Sequence, residues 1–140
     1  MKKVIFLTVC VFALSLQKGG TTMESDTPPI SSGSTHFLTK KQIKELSIEG
    51  ENGNQDSAFR LYLYYLLSIY DEKKSLYWLE ISAKGGHPTA QYNMAHIMKE
   101  KNRISDAMYW AEMAKKNGVE RADDLINEIK KKQAQTPSLP

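Results

Sequence analysis

A single cysteine, Cys10, stands among 140 residues, and it lies inside the first apolar run. No disulfide can form within the chain, and removal of that first segment would leave no thiol chemistry either. Long hydrophobic stretches are also missing. The run from Val4 to Leu14 is eleven residues and is interrupted by Thr8, against the roughly 20 that a membrane-spanning helix needs. Charge of one sign is scarce: 19 Lys and Arg against 16 Asp and Glu leave a formal +3, too little for a dedicated nucleic-acid surface. Only three histidines occur. His36 falls beside a Gly/Pro/Ser-rich stretch, His87 precedes a proline, and His96 has no second ligand at metal spacing. No Ser-His-Asp or Cys-His set and no phosphate-binding glycine loop is legible, and Glu80 and Glu112 read as solvated partners of lysines. The expectation is therefore a non-enzyme with no cofactor, no metal and no catalytic residue. At this length there is room for one domain.

What is present divides into segments. Met1-Lys2-Lys3 followed by the short apolar run has the pattern of an export signal over residues 1–20, with cleavage expected between Ser15 and Gly20. Cys10 reads as a residue of the signal core; Val9 before it and a short lead-in argue against a lipoprotein site. Residues 21–37 are rich in Pro, Ser and Thr and are expected to form a flexible leader, because they hold too little apolar surface to offset ordering. A chain of that composition reaches on the order of 25 Å. A folded body is expected over residues 38–132 and a disordered tail over 133–140.

The body reads as all-α, since apolar residues recur at three- and four-residue spacing. Thr39 with Gln42 forms a capping box for a first helix that turns Ile43, Leu46 and Ser47 inward and ends at Gly50 to Asn54. A second helix runs from Ser57 to Tyr70, and Asp71 caps a third from Glu72 to Lys84, stopped by Gly85-Gly86. Pro88 opens a fourth, to Lys99. Ser105 caps a fifth, to Lys116, which Asn117-Gly118 stops, and the last spans Glu120 to Lys132.

Shifting the sequence by 32 residues brings Ala58 onto Ala90 and Ala122, Tyr77-Trp78 onto Tyr109-Trp110, and Gly86 onto Gly118. Each period holds two helices, and stacked pairs of this kind make an α-solenoid. The run His87-Pro88-Thr89-Ala90-Gln91-Tyr92-Asn93-Met94-Ala95, with Ala107, Trp110, Ala114 and Gly118, resembles a Sel1-like repeat, a tetratricopeptide-related motif. The resemblance covers residues 54–122. It departs at Ala95, at Met98 and in the short turn from Glu100 to Ile104. In the preceding unit Ser75, Trp78, Ser82, Ala83 and Gly86 keep register, with Leu63 at the usual glycine position. Ala90, Ala95, Ala107 and Ala114 are expected where helices approach closely, and Trp78, Trp110, Tyr62, Tyr65 and Tyr70 are expected in the core.

The resemblance implies a concave face formed by the first helix of each pair. Residues expected there are Arg60, Tyr64 and Leu67, then Tyr92, His96 and Lys99, then Asp124, Glu128 and Lys131, with Arg60, Tyr64 and Tyr92 as anchors. Lys73, Lys74, Lys101, Arg103, Lys130 and Lys132 are expected along a basic edge, either docking an acidic partner or anionic lipid, or complementing helix dipoles. The function expected is a protein–protein interaction module exported to the periplasm, resembling immunity proteins that neutralise a toxic effector. An envelope adaptor or signalling scaffold is the alternative, and a small hydrolase is a third reading. The partner is expected to be another protein, with neither nucleic acid nor a membrane span in the mature form.

Overall fold

A computed structural model describes residues 36–135; the expected export signal, most of the leader and the last five residues lie outside this range. The described residues form six α-helices: α1 (Lys40–Glu51), α2 (Gln55–Tyr64), α3 (Glu72–Lys84), α4 (Pro88–Glu100), α5 (Ile104–Lys116) and α6 (Ala122–Gln135). A π-helical turn, Tyr65–Ile69, continues α2. Each helix packs on its successor, with further contact between α1 and α3 and between α4 and α6, so the fold is all-α with stacked helix pairs. Among the described residues no helix is long and apolar enough to cross a membrane.

The starts of α1, α3 and α5 recur at a fixed interval, with Thr39, Asp71 and Arg103 as their N-caps. Thr39 makes the full capping box: its hydroxyl accepts from the Gln42 amide at 3.2 Å, and the Gln42 side chain accepts from the Thr39 N–H at 3.0 Å. Asp71 accepts from the Lys74 amide at 3.0 Å. Arg103 has no acceptor to offer and makes no side-chain cap. The expected cap, Ser105, lies inside α5, one residue after its start. The chain leaves α3 and α5 through left-handed glycines, Gly86 (φ 99°) and Gly118 (φ 86°), where a β-carbon would be strained.

The inward residues of these three helices keep the 32-residue interval. Leu46 lies at the place of Trp78 and Trp110, and Gly50 at that of Ser82 and Ala114, all small and buried. The other three helices slip. The buried set Ala58, Leu61, Tyr62 of α2 is matched in α4 by Gln91, Met94, Ala95 and in α6 by Ala122, Leu125, Ile126. Ala58, Ala90 and Ala122 are all buried, but by this pattern Ala90 stands one residue before the counterpart of Ala58. The reason is local. From its cap Asn54 to the left-handed Tyr70, the α2 segment holds one residue more than the α4 segment does from His87 to the left-handed Asn102, and the surplus is taken up by the π turn.

The core contains Leu61, Leu79, Leu125 and Ile129, all fully buried, with Trp78 at 6% exposure. Trp110 and Tyr65 are partly buried against it. Tyr70 is not a core residue: it is 83% exposed at the end of the π turn, because its left-handed backbone (φ 59°) ends the helix and turns the ring outward. Leu38 is buried in the core, inside the body as expected, while Phe37 is exposed. At the other end, α6 runs three residues beyond the expected limit at Lys132, to Gln135. Ser82 Oγ donates to the Gln55 carbonyl at 2.8 Å, Gln91 Nε2 to the Ala83 carbonyl at 3.2 Å, and Asn117 Nδ2 to Gln91 Oε1 at 2.8 Å. The first and third of these bonds tie together the two helices of one pair, α2 with α3 and α4 with α5, and the second joins one pair to the next.

Candidate interaction surface

Helix α4 begins at Pro88, and the His87 ring caps it, Nδ1 accepting from the Ala90 amide at 3.2 Å. The same ring stacks on Phe59 with centroids 4.1 Å apart and lies 3.8 Å from Asp56 through Nε2. Burial holds the imidazole below its ordinary pKa, partly opposed by the Asp56 charge. His87 is thus a cap and a packing residue. Burial raises the pKa of the Tyr62 phenol of α2, and the Asn93 side chain of α4 partly opposes that rise.

One turn further along α4, Tyr92 meets His96 edge-on at 4.8 Å, and the Arg121 guanidinium sits 5.3 Å from the Tyr92 ring centre. Lys99 donates to Glu128 of α6 at 2.6 Å, and its side chain is only 14% exposed. That hydrogen bond, together with the Lys99 charge, holds the Glu128 carboxyl below its usual range. Burial and then Lys99 push the His96 pKa down, against the opposing charges of Glu128 and Glu100. Tyr92, His96, Lys99 and Glu128 therefore form one linked surface, to which Arg121 belongs although the sequence reading passed over it. Tyr92 is half-buried and packs against the core, so it supports the fold as well as lying on this surface.

Of the remaining residues expected on that face, Lys131 comes close to this group. Arg60 is exposed on α2, Tyr64 is partly buried edge-on to Tyr65 at 5.1 Å, and Leu67 is exposed on the π turn. Asp124 and Lys131 are exposed on α6, Lys131 near enough to Glu128 to lower its pKa.

Two of the six residues expected along the basic edge, Lys74 and Arg103, pair with carboxylates. Lys73 and Lys74 lie in the first turn of α3, and Lys74 pairs with Asp71 at 3.3 Å and lies over the Tyr65 ring at 5.2 Å. Arg103 pairs with Asp106 at 2.7 Å. Lys132 donates to the Lys99 carbonyl at 2.6 Å, the dipole-complementing role. Lys101 and Lys130 are exposed. Among the described residues no three His, Cys, Asp or Glu gather at metal-binding distance.

A further surface surrounds the α2–α3 corner. Leu66, Leu67, Ile69 and Tyr70 are exposed in succession, and Ser68 donates to the His36 carbonyl at 3.2 Å, bringing the exposed Phe37 alongside. The sequence did carry a signal for it. The unbroken run Tyr62 to Leu67 holds more apolar residues than one helix face can bury.

No family model matches the chain, and no solved structure matches it. Over 108 residues it is 32% identical to a protein of Escherichia coli (strain K12) named "Uncharacterized protein YibG", an alignment spanning 72% of this chain and 71% of that protein. With that identity carried over more than two thirds of both chains, the protein described here belongs to the YibG family.

Proposed function

We propose that this protein is a non-catalytic binding module built of Sel1-like helix pairs as a short α-solenoid, exported to the periplasm, whose partner is a toxic effector protein that it covers and neutralises. The observation that carries the binding role is the exposed apolar succession Leu66, Leu67, Ile69 and Tyr70 with Phe37 beside it. A contiguous apolar patch of this kind marks interaction sites on soluble bodies. Support for the Sel1-like scaffold comes from the fixed interval of the caps, from Trp78 and Trp110 at one repeat position, and from the small buried residues Ala107 and Ala114. The basic start Lys2-Lys3 and the apolar run behind it support export. Catalysis is no part of the reading, because covering an active site requires only a stiff complementary surface.

The test is co-expression with the product of a neighbouring secreted-toxin gene directed to the periplasm. Growth rescue and a co-purifying complex are expected from the full chain, and no rescue from a chain lacking residues 1–20. Equal rescue without those residues would refute the periplasmic site of action, and absence of any complex would refute the effector-binding role.

A further inference from the structure

The two corners that join α2 to α3 and α4 to α5 share a backbone shape but not its chemistry. Each places one residue at φ 59°. At the second corner that residue is Asn102, a type suited to left-handed backbone; at the first it is Tyr70, a bulky residue that the region disfavours and whose ring stands in solvent. The first corner also carries the π turn, which presents Leu66, Leu67 and Ile69 outward. Neither feature is needed to turn the chain, as Asn102 demonstrates 32 residues on.

Between the first corner and the end of α4 lies a groove of about 390 Å³. Tyr62, Leu76 and Ile97 give it apolar walls, Tyr70 stands at its rim, and Lys101 and Glu72 line it as well. The neighbouring cations Lys74, Lys99 and Arg103 are taken up by Asp71, Glu128 and Asp106. Lys101 is exposed and has no ion pair among the described residues.

We propose that this groove receives a short protein segment with one bulky apolar side chain followed closely by a carboxylate. The apolar group fills the space against Tyr62, Leu76 and Ile97 under the Tyr70 ring, and the carboxylate pairs with Lys101. The inference rests on the reading of the chain as a protein-binding module and adds the chemistry of what is bound. An Asp or Glu side chain and a free C-terminus supply the same group, so both enter the test. A protein segment fits better than a lipid surface: the opening is concave and takes an inserted side chain, and the nearby cations Lys74, Lys99 and Arg103 are already paired with carboxylates.

The test is a titration of the 15N-labelled full chain with an acetylated, amidated hexapeptide holding one Phe and, two residues on, one Asp. Companion peptides carry Asn for Asp or Ala for Phe, and a shorter one ends in Phe-Gly with a free carboxylate. Saturable shifts are expected at the amides of Tyr70, Leu76, Ile97 and Lys101, with binding weakened about fivefold by either companion substitution. A matching response to the free-carboxylate peptide identifies a C-terminus as the source; its failure beside success of the Asp peptide identifies a side chain. Lys101→Glu should erase the preference for Asp over Asn, and Glu72→Gln should strengthen acidic-peptide binding about twofold by removing a like charge. Tyr70→Asn should leave the melt unchanged or raised while weakening binding about tenfold.

Equal binding of the Asp and Asn peptides, or no shift at these amides with any peptide, would overturn the proposal. So would shifts at the same amides produced only by phosphatidylglycerol vesicles. An effector complex that forms and is indifferent to Tyr70→Asn and Lys101→Glu sinks the groove and leaves the binding reading standing. Peptide binding without any effector complex does the reverse.

Discussion

Gly50 lies beneath the ring of Trp78: a β-carbon built on it would stand 2.9 Å from Trp78 Cζ3 and 3.4 Å from Ala58. Ser82 and Ala114 hold the same place in the later pairs and do carry a side chain. The large ring at 78 therefore dictates the glycine at 50. Gly50→Ala should lower stability by about 1 to 2 kcal/mol in urea unfolding, overpacking outweighing the gain in helix propensity. In a Trp78→Phe background the added cost should shrink, and the coupling is read from a double-mutant cycle. An unchanged or raised midpoint for the single variant would contradict the geometry.

Arg103 occupies the position that Thr39 and Asp71 fill with capping acceptors. Arg103→Ser should raise stability by about 0.5 kcal/mol, a cap of about 1 kcal/mol less the small value of the exposed pair with Asp106. Thr39→Ala should cost about 1 kcal/mol, measured by the same unfolding curves.

Mild acid should weaken the fold through two histidines. His87 and His96 both have folded pKa values below the ordinary 6.5. In the window between those lowered values and 6.5 the unfolded chain binds protons that the native chain does not, so stability is full above 6.5 and falls as the pH is lowered. Protonation of His87 also removes the acceptor that caps α4. The melting midpoint should decline from pH 7.5 to 5.5, and His87→Asn, which retains a capping acceptor without titrating, should flatten much of that slope. A second loss belongs at lower pH, where Asp71 and Glu128, both held below their usual range, take up protons.

Lys99 is nearly enclosed and faces Glu128 at 2.6 Å. Glu128→Lys sets two cations against each other there and should speed amide exchange at Ile126 and Ile129, which lie on the buried side of α6. Exchange unaltered at those amides would mean that the pair does not hold α6 in place.

The caps and stops were legible because they are local chemistry: Thr39 with Gln42, Asp71, Pro88, Gly86 and Gly118 each act within a turn of where they stand. The small residues Ala90, Ala95, Ala107 and Ala114 were legible for a similar reason, as close helix approach admits few alternatives. The outward position of Tyr70 was not. It depends on one surplus residue absorbed as a π turn, and apolar spacing cannot distinguish that from a regular helix. One residue rotates a helix by about 100°, enough to move a side chain from core to rim, so the slip of α2 also displaced the expected match of Ala58 with Ala90. Ser105 was mistaken for a cap because a hydroxyl before an apolar run is the usual signature, whereas α5 starts at Ile104 with Arg103 as its N-cap. Arg121 entered the surface only through the packing of α6 on α4, a tertiary relation with no local trace.

A helix whose N-cap is an arginine lacks the self-made first turn that its counterparts possess, and nucleation is the slow part of helix growth. The fifth helix therefore depends more on packing against a neighbour for its first turn than the first and third, whose caps assist theirs. A refolding experiment that resolves the individual helices should accordingly find the first turn of the fifth arriving after those of the first and third.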